Sequence, residues 1–112
     1  MMPLDIELIR ELMLRFEQDD TSVPEGRTEG LVAYHVLQMK EDGLIDAFVR
    51  KRSHGNKAPD IYRVHDITPK GRKFIASIKP ETLWSKLKDE IQRKSVPLTV
   101  ELIVQSAKLL SM

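Results

Sequence analysis

The chain has 112 residues and a net charge of +1, with 41% hydrophobic and 31% charged residues, which is the composition of a soluble globular protein. This length allows one domain with a single modest core, and the absence of cysteine excludes disulfides and thiolate ligands. No apolar run reaches the length needed to cross a bilayer, and charged residues interrupt residues 1–16, which excludes a signal peptide. We therefore expect a cytoplasmic protein with no membrane association.

The small net charge conceals a strong segregation of charge along the chain. Residues 1–49 carry four basic and eleven acidic side chains, a balance of −7. Residues 50–73 carry eight basic and two acidic side chains, a balance of +6, and residues 74–112 add +2. The middle of the chain is therefore a basic patch in an otherwise acidic protein.

Two amphipathic helices are predicted in the first half. The first covers about residues 4–18, where Leu8, Leu12 and Phe16 recur at helical spacing. Residues 19–26 break it, because turn-forming residues, a proline and a glycine cannot continue a helix. The second helix runs from Thr28, its N-cap, to Asp42, and ends at Gly43 in the left-handed conformation.

A β-hairpin is predicted next. Residues 44–50 and 61–67 alternate in the way half-buried strands do, with Ile45, Ala47 and Val49 on one face of the first strand. The connection over residues 51–60 contains serine, glycine, asparagine and proline, and is the candidate wing.

Three helices complete the chain. Thr68 followed by Pro69 is a strong helix start, and this helix extends to Ile78. Residues 81–94 form a helix with a narrow apolar seam, and Thr99 caps a last helix that is apolar on most of its faces. Such a surface needs cover, so the last helix packs on the domain or forms a homodimer.

This order predicts an α+β fold with a winged-helix-like core over residues 1–78. A C-terminal helical extension over residues 79–112 is packed on the core or dimerises, and the whole chain forms one domain. The winged-helix architecture is commonly used to hold nucleic acid, although a fold does not fix a function.

No catalytic or metal site is indicated. None of the three histidines has a second ligand three or four residues away, as helical zinc motifs require. No nucleophile elbow and no phosphate-binding glycine loop is present. We expect a protein that is not an enzyme and that uses no cofactor or metal.

The basic hairpin is the candidate functional site. Its clustered cations can neutralise phosphates, which adds affinity and salt dependence. The competing interpretation is a solvated loop that merely carries charge. The predicted nucleic-acid contacts are Arg50, Lys51, Arg52, Lys57 and Arg63.

The second helix is less suited to reading DNA. A helical wheel of about 100° per residue places on its buried side Val32, Ala33, Val36, Leu37 and Met39. The wheel places on its outer side Leu31, Tyr34, His35, Gln38 and Asp42. This outer side has no arginine or lysine, so His35 and Gln38 are secondary base contacts and the hairpin must dominate affinity. Leu31 and Tyr34 are candidates for a protein contact.

The chain resembles a family of short bacterial and phage proteins known as a domain of unknown function, with a winged-helix-like core. The resemblance covers nearly the whole chain, and its markers are Asp5 to Arg10, Tyr34-His35, Asp42 to Ile45, Ile67-Thr68 with Gly71, Phe74-Ile75, Trp84 with Lys86 and Lys88, and the apolar last helix. The family pattern usually has tryptophan at Pro69 and histidine at Arg72, so roles of those side chains are not transferred. The resemblance implies a fold and a prophage setting, without an established activity.

The leading functional hypothesis is a non-enzymatic, prophage-associated regulator that contacts DNA through its basic hairpin, as a homodimer joined by its C-terminal helices. The alternative is a protein-interaction module that modulates a host complex. That module would use the acidic N-terminal half and the face formed by Leu31 and Tyr34.

Overall fold

The computed structural model describes residues 4–51, 59–94 and 96–110, without the side chains of residues 51 and 59–61. In this part of the chain five helices accompany a two-stranded antiparallel sheet, which confirms the α+β class. The predicted ends of the helices and strands lie within two residues of the observed ones. The elements are α1 (Ile6–Glu17), α2 (Glu29–Glu41), β1 (Ile45–Lys51), β2 (Pro59–Ile67), α3 (Pro69–Ile78), α4 (Glu81–Lys94) and α5 (Val100–Leu110).

Side-chain caps explain where the helices begin. The hydroxyl oxygens of Thr28, Thr68 and Thr99 each accept a hydrogen bond from the backbone N–H three residues later, at 3.0 to 3.2 Å. The carboxylate of Asp5 does the same at α1, for two backbone amides. Each cap satisfies an amide that the helix leaves free, so the three predicted threonine caps are confirmed. Gly43 ends α2 with φ of +82°, as predicted.

The hairpin pairs Ile45 with Ile67 at its base and Phe48 with Arg63 further along. A register shift between Asp46 and Ala47 leaves His65 outside the pairing, which is the geometry of a bulge. Ile45, Ala47 and Ile67 are buried on the inner face, which packs on α2. The predicted alternation of β1 is therefore confirmed.

One hydrophobic cluster contains the buried residues of all seven elements. Helices α4 and α5 pack on each other and on α3, and contribute Trp84, Leu87 and Ile103 to this cluster. Helix α5 is not fully covered, because Leu109 is 66% exposed and Val104 is half-buried. The homodimer through the C-terminal helices stays a prediction. None of the helices in the described ranges is long and apolar enough to span a bilayer.

Arg10 joins α1 to the end of α3. Its Nε and Nη2 atoms donate hydrogen bonds to the carbonyl oxygens of Ile78 and Lys79, both at 2.9 Å. Its Nη1 atom lies 3.3 Å from Glu81, and its guanidinium carbon lies 5.2 Å from the centre of the Trp84 ring. These carbonyls lack partners within their helix, so Arg10 acts as a C-cap supplied by another element.

We expect Arg10→Lys to lower the free energy of unfolding by about 2 kcal/mol, because an ammonium group cannot reproduce two parallel hydrogen bonds and the stacking on Trp84. Urea unfolding followed by circular dichroism measures the loss. Arg93→Lys is the matched control, since Arg93 is 77% exposed and lies 4.0 Å from Glu90. Equal stability of the two variants would contradict this role of Arg10.

Candidate nucleic-acid interface

The hairpin face turned away from the core combines an aromatic ring with basic side chains. Phe48 and Arg50 project from β1, and Arg63 and His65 project from β2, all exposed to solvent. Phe48 is 55% exposed and lies directly opposite Arg63 in the strand register. We call these four residues the outer hairpin face.

The pleat of the strands produces this arrangement. Side chains alternate between the two faces of a strand, so burial of Ala47 and Val49 on the core side turns Phe48 and Arg50 outward. Residues two apart on one strand lie about 7 Å apart, and directly opposed residues have Cβ atoms about 5 Å apart. The Phe48 ring therefore has one arginine beside it and another across from it.

The two arginines of the outer hairpin face are unpaired among the side chains that the structure describes. In the described part of the chain, neither Arg50 nor Arg63 makes a hydrogen bond or an ion pair. Among the described side chains of the sheet, the carboxylates are Asp46 and Asp66, which oppose each other at its base. Asp66 is already paired with Arg72 at 3.2 Å. Within the described residues, no intramolecular partner has to be displaced from the two arginines when an anion binds.

The other predicted hairpin contacts cannot be placed. Arg52 and Lys57 lie outside the described residues, and so does the side chain of Lys51. Of the five basic side chains predicted to bind phosphate, Arg50 and Arg63 are therefore the two that the structure brings together on one face.

The prediction that His35 faces solvent is wrong. Its side chain is fully buried, Nε2 accepts a hydrogen bond from the backbone N–H of Asp5 at 2.8 Å, and Nδ1 donates to the carbonyl oxygen of Leu31 at 2.9 Å. Burial lowers the pKa of His35, and the proximity of Arg27 acts in the same direction. The helical wheel failed because it treats a helix in isolation, whereas the N-terminus of α1 covers this side of α2. His35 cannot reach a base.

The other predicted contact residues of α2 are half-buried. Gln38 is half-buried and accessible to a partner, whereas half-buried Leu31 packs against the core. Tyr34 is half-buried, with its ring edge-on to His35 at 5.6 Å. Leu37 is half-buried rather than buried.

The charge on the exposed side of α2 is mostly negative. The exposed charged residues of α2 are Glu29, Lys40 and Glu41. Asp42 is held by Lys70, whose Nζ atom lies 3.3 Å from its carboxylate. A polyanion gains little from approaching this side of α2.

Two surface grooves lie away from the hairpin. One, of about 710 Å³, lies between α3 and α5, and its lining includes Phe74, Val104, Glu101 and the lysines Lys70, Lys73 and Lys108. The other, of about 680 Å³, follows the outer side of α1 and mixes Glu7, Glu11 and Arg15. Both mix charges of opposite sign. In the described ranges no group of three or more metal-binding side chains could hold an ion.

Sequence reasoning missed Phe48 as a surface residue of interest. The signal was present, because the predicted inward positions 45, 47 and 49 leave position 48 on the outer face. An aromatic residue at an outward position of a basic strand departs from the usual polar pattern, and that departure is what the prediction overlooked.

These features define a small α+β protein that presents two exposed guanidinium groups and an exposed aromatic ring on a hairpin. The chain belongs to the family described as "Hypothetical protein (DUF2513)", whose sequence profile matches residues 3–97. It is also similar to an "Uncharacterized protein" of Haemophilus influenzae, at 30% identity over 109 residues that cover 91% of this chain and 89% of the relative. No solved structure matches the chain. The resemblance to a family of unknown function is thus confirmed.

Proposed function

We propose that this protein contacts nucleic acid mainly through the outer hairpin face, in a binding rather than a catalytic role. In this proposal α1, α2, the hairpin and α3 form a winged-helix-like unit whose wing is the hairpin. The observation that supports it best is that Arg50 and Arg63 are exposed on one face with no acidic partner in the described chain. Unpaired surface arginines are suited to phosphate oxygens, because the guanidinium group donates two parallel hydrogen bonds.

The distribution of charge supports the hairpin over α2 as the principal contact. Residues 50–73 carry a balance of +6, whereas the exposed charges of α2 are Glu29, Lys40 and Glu41. In this proposal Gln38 is a secondary contact to the nucleic acid, since its side-chain amide can form hydrogen bonds with a base edge. A regulatory role belongs to this proposal, together with the prophage setting that the family resemblance implies.

The alternative of a protein contact through Leu31 and Tyr34 has less support. Leu31 packs against the core, and Tyr34 is half-buried beside His35. Interface anchors are usually side chains that can enter a pocket on the partner. The outer hairpin face offers freer groups than this side of α2.

Fluorescence anisotropy with labelled oligonucleotides at low and moderate salt tests the proposed function. We expect the double variant Arg50→Ala with Arg63→Ala to bind roughly ten- to a hundredfold more weakly and to show a shallower salt dependence, because two phosphate contacts are lost. The double variant Lys86→Ala with Arg93→Ala removes the same charge from exposed positions of α4 and should bind like the unmodified protein.

Two results would overturn the proposal. One is equal loss of affinity in the hairpin and α4 variants, which would show that only net charge matters. The other is no binding of single-stranded or duplex nucleic acid by the unmodified protein at low salt. Circular dichroism of each variant verifies that the fold is intact.

A further inference from the structure

Phe48 occupies a position at which strands usually place a polar side chain. It is 55% exposed, at the middle of β1, while the core side of the same strand is filled by Ile45, Ala47 and Val49. Turning outward places the ring where it contributes little to the core. A single exposed aromatic residue needs no explanation by itself. The side chains around Phe48 indicate what this ring can bind.

The ring has hydrogen-bond donors across the strands and on one side along β1, and Asp46 on its other side along β1. Arg63 is directly opposite Phe48 across the strands, Arg50 is two residues along β1, and His65 is two residues beyond Arg63 on β2. No arginine or lysine stacks on Phe48 in the described chain, where the cation–π contacts are those of Arg10 and Lys88 with Trp84. More than half of the Phe48 surface is exposed, so the ring can receive a stacking partner from solvent.

The charges around Phe48 disfavour a second copy of the chain as the binding partner of this face. Two outer hairpin faces packed together would bring Arg50 and Arg63 of one protomer against the same cations of the other, which costs electrostatic energy in a desolvated contact. An apolar partner would have to desolvate both guanidinium groups without pairing them. A polyanion whose planar groups can stack satisfies the arginines and the ring together.

We propose that the outer hairpin face binds single-stranded nucleic acid, with an unpaired base stacked on Phe48 and the adjacent phosphates held by Arg50 and Arg63. This inference rests on the proposed function and names its substrate class. An extended nucleic-acid strand places a base within stacking distance and phosphates on either side of it. Base stacking on an exposed aromatic ring of a β-surface is a general mode of single-strand binding.

Duplex nucleic acid fits the same face less well. In a duplex the bases are paired and stacked on each other, so their π-faces are closed to a ring on the flank of a hairpin unless a base step is opened at a cost in free energy. The arginines still reach the phosphates of a duplex, but Phe48 then contributes little. Preference for single strands should therefore depend on position 48, and general affinity should depend on positions 50 and 63.

Anisotropy titrations with labelled oligothymidylate and oligouridylate of about 12 nucleotides, and with a duplex of about 12 base pairs, separate these contributions. Phe48→Leu keeps an apolar side chain and removes the π-face, and we expect roughly tenfold weaker binding of single strands with unchanged binding of the duplex. Phe48→Tyr keeps the ring and should bind within about threefold of the unmodified protein. The thymidylate and uridylate arms show whether DNA or RNA is preferred.

The outcomes distinguish this inference from the function on which it rests. If Arg50→Ala with Arg63→Ala weakens binding while Phe48→Leu does not, the stacking proposal is wrong and the proposed function stands. The same conclusion follows if Phe48→Leu weakens duplex and single strands equally. If the unmodified protein binds none of the three oligonucleotides at low salt, both are wrong. Because Phe48 is exposed, Phe48→Leu should unfold at the same urea concentration as the unmodified protein.

Discussion

Replacement of Gly71 by alanine should lower the free energy of unfolding by about 3 kcal/mol or more. A Cβ atom on Gly71 would lie 2.0 Å from the carbonyl oxygen of Leu44 and 2.8 Å from Cγ2 of Ile67. The first of these neighbours is backbone and cannot rotate away. The start of α3 would have to move by more than 1 Å from the junction of α2 and β1, a displacement that a closely packed interior resists.

That displacement would also break the hydrogen bonds that hold the junction. The backbone N–H of Thr68 donates to the carbonyl oxygen of Leu44 at 3.1 Å, and the Thr68 hydroxyl donates to the carbonyl oxygen of Gly43 at 2.5 Å. The same hydroxyl oxygen accepts from the Gly71 N–H at 3.0 Å and caps α3. Each lost bond costs about 1 kcal/mol, so the steric clash and the lost bonds act together.

The other glycines near helix ends supply matched controls. Gly30 lies in the first turn of α2 and a Cβ atom there meets nothing within 4 Å, so Gly30→Ala should raise stability by up to about 1 kcal/mol. Gly43 has room for a Cβ atom but a φ of +82°, so Gly43→Ala should cost about 1 kcal/mol from backbone strain alone.

Urea unfolding of the three alanine variants tests the order Gly30, Gly43, Gly71 from stabilised to strongly destabilised. A Gly71→Ala protein as stable as the Gly43→Ala protein would show that α3 can move away from Leu44 at little cost. Such a result would contradict the close approach of α3 to the end of α2.

The junction around Gly71 shows how much of the fold local chemistry fixes. The local sequence correctly predicted two helix boundaries. The cap at Thr68 and the proline after it mark the start of α3, and the left-handed Gly43 marks the end of α2. These local signals could not show that the end of α2 and the start of α3 are in contact. The need for glycine at position 71 comes from the carbonyl of Leu44, which is distant in sequence and near only in the folded chain.

In the candidate site, too, some residues could be predicted from the sequence and others depend on tertiary packing. Arg50 and Arg63 could be predicted because clustered charge is visible in the sequence, and strand alternation gives their face. His35 could not be assigned from α2 alone, because its two hydrogen-bond partners are a carbonyl of its own helix and an amide of α1. A polar residue on the border of an apolar face is equally compatible with solvent and with a buried partner until tertiary packing is known.

His35 gives the second large prediction, which concerns stability and pH. At neutral pH we expect His35→Leu to cost about 2 to 3 kcal/mol, because it leaves the part-buried backbone N–H of Asp5 without its acceptor. His35→Gln is the informative partner variant, since a side-chain carbonyl oxygen can accept from that N–H and does not titrate. We expect it to retain part of the lost stability.

The pH dependence follows from the hydrogen bond that Nε2 accepts. Protonation would put an N–H group against the Asp5 N–H in a buried site, so burial and this geometry lower the pKa of His35 in the folded protein. In the unfolded chain its pKa is about 6.5. As pH falls below that value the unfolded state takes up a proton that the folded state refuses, and stability falls by at most about 1.4 kcal/mol per pH unit until the folded pKa is reached.

The charged groups that face the ring do not obscure this window. Burial acts to raise the pKa of Asp5, but hydrogen bonds from Arg27 and from the backbone amides of Leu8 and Glu7 outweigh it, and the pKa lies below 3.8. A carboxyl group with a lowered pKa contributes stability that is lost only as pH falls below its unfolded value, so Asp5 acts in a more acidic range than His35. Arg27 keeps its charge throughout.

Urea unfolding at several pH values between about 7.5 and 5 measures the effect. The unmodified protein should be more stable than the His35→Gln variant at the upper end, and this difference should shrink as the pH falls, because only the unmodified protein has the buried histidine. The two proteins differ only at position 35, so the comparison isolates the contribution of His35. A difference that stays constant over this range would mean that His35 does not resist protonation, and the buried acceptor role of Nε2 would then be wrong.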